Sequence, residues 1–150
     1  MRVIKIALAL LSALTLVASA QAAGRLPRIP GGLEHRGLMV RPAVIEYTGD
    51  GSGILGGFDG RGHGTSFGHL RWTRWNRTEG LGHGAVWIKS CIPDCAGSPF
   101  KPYAVRVIVF RPRRGEFTRL TLRYRYHGTA VVDRREIVHN IYDLVLPPGK

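Results

Sequence analysis

Between Phe117 and Tyr126 the chain alternates with a period of two: Leu120, Leu122, Tyr124 and Tyr126 fall on one side, Arg119, Thr121, Arg123 and Arg125 on the other. Successive side chains of a strand point to opposite faces, whereas a helix would scatter this pattern around its circumference. The segment is therefore an amphipathic strand. Residues 103–110 alternate as well, with Tyr103, Val105, Val107 and Val109 against Ala104, Arg106, Ile108 and Phe110. One arginine among seven apolar residues predicts a strand buried on both faces. Further apolar runs at 40–47, 70–75, 85–90 and 130–146 are separated by Gly, Pro or charged residues. This spacing predicts an all-β domain, an antiparallel β-sandwich or partly open barrel of about six to seven strands. The last run has both helical and alternating spacing, so its type stays open.

Glycine stands at 49, 51, 53, 56, 57, 60, 62, 64 and 68. Such density opposes a helix and predicts a long glycine-rich loop. That expectation decides several motifs. Gly51-Ser52-Gly53-Ile54-Leu55-Gly56 fits a dinucleotide fingerprint, but the phosphate-binding helix cannot follow through so many glycines. Gly64-Thr65-Ser66-Phe67-Gly68 fits a nucleophile elbow, with Asp133 and His139 as partners on paper, and again lacks its helix. Asp50 and Asp59 suggest a calcium turn less well than ordinary Asx turns. His63, His69 and His83 near Asp59 form a metal set only if the loop gathers them. No catalytic residue, metal ligand or cofactor is assigned.

The amino terminus has its own signature. Arg2 and Lys5 precede an uncharged stretch ending in Ala18-Ser19-Ala20 or Ala20-Gln21-Ala22. This predicts a signal peptide over 1–20, cleaved after 20 or 22, and a secreted or envelope-associated protein with no transmembrane segment in its mature chain. Residues 21–38 are expected to be a flexible lead-in, and 39–150 a single domain. Outside the cytoplasm Cys91 and Cys95 are expected to form a disulfide, and closing so small a ring contributes about 2 kcal/mol. Its role is to shape a loop. Trp72 and Trp75, three apart in a strand, are expected on opposite faces, with Trp87 in the following strand; a core or cross-strand aromatic pair is preferred over an exposed ring that stacks on a sugar or base.

The formal net charge is +12, carried mostly by arginine. The guanidinium is a fixed planar fork suited to oxyanions. Arg119, Arg123 and Arg125 form an outward row spaced by ~7 Å per two residues, and Arg111, Arg113 and Arg114 lie just upstream. These six are the candidate anion-binding residues, with an anionic polymer or membrane surface as partner. Three functions follow: an exported binding module, a small hydrolase or metal enzyme using Asp59, His63, Ser66 and His69, or a structural accessory protein without a ligand.

Four stretches, Tyr47-Thr48-Gly49-Asp50-Gly51-Ser52-Gly53, Leu70-Arg71-Trp72-Thr73-Arg74-Trp75, Cys91-Ile92-Pro93-Asp94-Cys95-Ala96 and Phe117-Thr118-Arg119-Leu120-Thr121, resemble a family of small exported actinobacterial proteins of uncharacterised function. The resemblance covers most of residues 41–126 and implies export, a β-rich domain and the cysteine pair. It implies no activity.

Overall fold

The computed structural model describes residues 25–32, 37–91, 94 and 96–137. The expected signal peptide, Cys95, His139 and the apolar tail beyond 137 lie outside them. Among the described residues there is no helix. The strands are β1 (Ile29–Pro30), β2 (Leu38–Met39), β3 (Ile45–Glu46), β4 (Gly53–Gly56), β5 (Arg71–Trp75), β6 (Glu79–Lys89), β7 (Phe100–Arg113), β8 (Glu116–Tyr126) and β9 (Thr129–Glu136). β1 and β2 form a two-stranded ribbon, and the other seven form an antiparallel sheet in the order β3-β4-β6-β7-β8-β9, with β5 also paired to β6. Thus the all-β antiparallel fold expected from alternation is present. It does not close into a barrel.

The two long hairpins have a local cause. Arg114-Gly115 and His127-Gly128 connect β7 to β8 and β8 to β9, and all four residues have positive φ. Two left-handed residues in succession make the turn whose twist matches that of the flanking strands. With those turns fixed, Val105, Val107 and Val109 meet Tyr124, Leu122 and Leu120. The resulting core face also holds Ile45, Leu55, Val86, Leu70, Trp75 and Phe117, all buried.

Three expectations change. The strand expected at 40–47 is broken, because Arg41 is left-handed (φ 54°) and Pro42 has no N–H to donate to a ladder. The glycine-rich stretch contains β4, whose Ile54 and Leu55 are buried beside Trp87 and Val86. The lead-in is extended but packed over 25–32: Ile29 is 1% exposed, and Phe117 N–H donates to the Arg28 carbonyl at 3.0 Å. An apolar side chain so fully buried belongs to the core, so the folded unit begins well before Met39.

The tryptophans pack as an aromatic pair and in the core, but Trp72 and Trp75 are not on opposite faces. A bulge between Trp72 and Arg74 inserts an extra residue, so Trp72 and Trp75 share one face and meet edge to face at 4.6 Å. Both lie over glycines of β6. A Cβ on Gly80 would come 2.7 Å from the Trp75 ring, and one on Gly82 2.8 Å from that of Trp72. None of the three is an exposed stacking ring, since each indole N–H reaches a backbone carbonyl outside the sheet: Trp72 to Pro42, Trp75 to Pro27, Trp87 to Gly57 and Phe67. They fasten loops to strands.

Candidate anion-binding face

Alternation along β6 and β7 divides the sheet into two faces. On the face away from the main core, Phe67 packs edge to face against Trp87 (5.9 Å) and Phe100 (4.9 Å), and Ile54 and Ala85 complete a second small cluster. The loop 57–69 thereby covers one end of this face. Part of the remainder is open: Ala104, Arg106, Arg123, Arg125, Val132 and Arg134 are exposed, while Thr121 on the same face is buried. This corrects the expectation that β7 is buried on both sides, since Ala104 and Arg106 are exposed among the described residues.

Register assembles the site. Arg71 of β5 is opposite His83 of β6, His83 is opposite Arg106 of β7, and Arg106 is opposite Arg123 of β8. Four basic residues thus occupy neighbouring positions on four adjacent strands, all exposed. Directly opposed residues lie about 5 Å apart at their Cβ atoms. None of these arginines has a carboxylate within salt-bridge distance among the described residues, whereas Arg74 is paired with Glu79 at 2.7 Å and Arg119 with Glu136 at 3.0 Å. Adjacent positions carry Arg125 beside Ala130 and Thr121 beside Arg134.

Of the six arginines chosen from sequence, Arg123 and Arg125 stand on this open face. Arg119 is on the same face but neutralised by Glu136. Arg113 and Arg114 sit at the β7–β8 turn, beside a cleft of about 400 Å³ also lined by Pro30, Glu116, Phe117, Thr118 and Ile137. Arg111, left-handed at φ 56°, precedes them. Seven residues of extended strand separate Glu116 from Arg123, about 23 Å, so the two groups are separate. Arg71, His83 and Arg106 were missed because each belongs to a different strand. The signal was available: counting outward from Arg114-Gly115 as a two-residue turn places Arg106 opposite Arg123.

The glycine-loop residues converge in part. The Asp59 carboxylate accepts from His69 N–H (3.0 Å) and lies 2.9 Å from His69 Nδ1. These hydrogen bonds, side chain first and backbone second, hold Asp59 well below the usual carboxylate range, at about 2. His63 and Ser66 form a separate backbone bridge. The structure gives no hydrogen bond between Ser66 and His69, and among the described residues no three His, Cys, Asp or Glu side chains form a metal-sized cluster. Asp59 thus ties the start of the loop to its end through His69. Asp50 makes the expected Asx turn, accepting from Ser52 N–H at 2.9 Å and Ser52 Oγ at 2.6 Å. Cys91 is not a free thiol and is left-handed (φ 54°), and its expected partner Cys95 lies outside the described residues.

Together these features define a class: an open antiparallel sheet with one packed face and one partly bare, arginine-lined face. Comparisons with protein-family models, curated proteins and solved structures find no match.

Proposed function

We propose that this chain is an exported, non-enzymatic binding module whose basic sheet face holds an anionic partner. The amino-terminal signature and the expected cysteine bridge support export. The binding reading rests on the juxtaposition of Arg106 and Arg123. Like charges directly opposite in a sheet destabilise it by a few tenths of a kcal/mol to ~1 kcal/mol, and among the described residues no carboxylate pairs with them. An oxyanion between the two guanidinium groups would reverse that sign, because each fork donates to it.

Retention on an immobilised polyanion in a salt gradient tests this reading. Binding should weaken with salt, and R106A/R123A should elute at distinctly lower salt than wild type, with the slope of log affinity against log salt shallower by about two contacts. R113A/R114A removes the same charge at the hairpin tip and should elute later than R106A/R123A. Equal elution of the two variants would leave only the overall charge as the cause and remove this face from the account.

A further inference from the structure

The arrangement of the basic residues suggests how a ligand lies, and this step rests on the binding reading above. We propose that the site takes a linear polyanion, an extended chain with repeated oxyanion groups, laid across the strands of β5 to β8 rather than along them. The row Arg71–His83–Arg106–Arg123 crosses four strands in register. At about 4.8 Å per strand it spans ~14 Å. Along β7 the charge is interrupted, whereas β8 carries Arg123 and Arg125 at successive outward positions. From Arg106 one direction leads to Ile108 and Phe110 and the other to Ala104 and Pro102, so no second cation on β7 continues a lengthwise track on that face.

The loop 57–69 favours the same path. Phe67 anchors it over Trp87 and Phe100, on the face that carries His83 and Arg106. Its Phe67 packs with Ile54, Ala85, Trp87 and Phe100, and the row Arg71–His83–Arg106–Arg123 lies at neighbouring positions of the same face. Ala104 keeps the floor low between them, and it is exposed. Near the base of the loop Phe58 and Asp59 are exposed, and the carboxylate of Asp59 opposes an acidic membrane surface. No Trp, Tyr or Phe stands in the row, so recognition falls to charge and fork geometry instead of ring stacking.

Two variants with equal charge removed separate orientation from mere basicity. R71A/R106A removes two cations from the row; R125A/R134A removes two from the same face outside it. All four side chains are exposed, and circular dichroism verifies that both variants fold. Affinity is measured by titration with linear polyphosphate, polyglutamate and vesicles containing anionic phospholipid. For whichever polymer binds wild type, R71A/R106A should lose about tenfold or more and R125A/R134A less than about threefold, and the polymer preferred assigns phosphate or carboxylate as the repeated group. Equal losses would overturn the crosswise path while leaving the basic-face reading intact. No loss in either variant would overturn both, and binding to vesicles but to neither polymer would replace the linear polyanion by a membrane surface.

Discussion

At the residue scale, the glycine-rich loop is held by one carboxylate. Asp59 has a value of about 2 against an ordinary 3.8, mainly through hydrogen bonds from His69. A group depressed on folding contributes order above its unfolded value and loses that contribution as pH falls through its folded value. The loop should therefore loosen between about pH 4 and 2. Trp87 reports it, because its indole N–H donates to Gly57 and Phe67 at either end of the loop. Trp87-sensitive fluorescence should shift across that window in wild type and not in D59N. A D59N variant with the same acid transition would place the proton elsewhere.

Single elements explain what could and could not be read from the chain. β8 and most of β7 are legible because alternation survives intact, and the hairpin joining them follows from Arg114-Gly115. β4 and the first half of β6 are not, since Gly53, Gly56, Gly80, Gly82 and Gly84 remove the side chains that would reveal a period. Those at 80 and 82 serve the indoles of Trp75 and Trp72, a relation visible only once the strands are paired. The site was half legible for a related reason: Arg123 and Arg125 share one strand, while their partners in charge come from β5, β6 and β7. Pairing also predicts a trade at β8. Exposed Arg123 opposes Arg106, and Thr suits a strand better, so R123T should gain about 0.2–1 kcal/mol in denaturant unfolding while its polyanion retention falls. A loss of stability in R123T would mean that the two arginines are not in conflict.

Across the whole molecule, the sheet order puts β3 and β9 at opposite edges, yet their neighbourhoods touch. Arg135 of β9 lies 5.1 Å over the Tyr47 ring, just past β3, and donates to the Tyr47 carbonyl at 3.5 Å. Contact between the two edge regions over the core face requires a strongly coiled sheet, although no backbone ladder joins those edges. Side chains make the closure. Asp133 holds Arg135 through its Nε and a terminal nitrogen, both at 2.9 Å, and Tyr124 packs against the cluster that holds Tyr47. Burial, reinforced by Tyr124, pushes the Tyr47 phenol well above its ordinary range, so it stays protonated in this cluster. R135M would leave the half-buried Asp133 carboxylate without its partner and should cost about 1–3 kcal/mol, discounted from a fully buried pair because water still reaches the site. The double variant D133L/R135M removes both charges and should recover much of that loss. Amide exchange locates the effect: in R135M protection should fall first in β3 and β9, while β6, β7 and β8 keep theirs. Uniform loss of protection would instead make the clasp part of the global core, and a double variant no more stable than R135M would show that packing on Tyr47, not charge pairing, joins the edges.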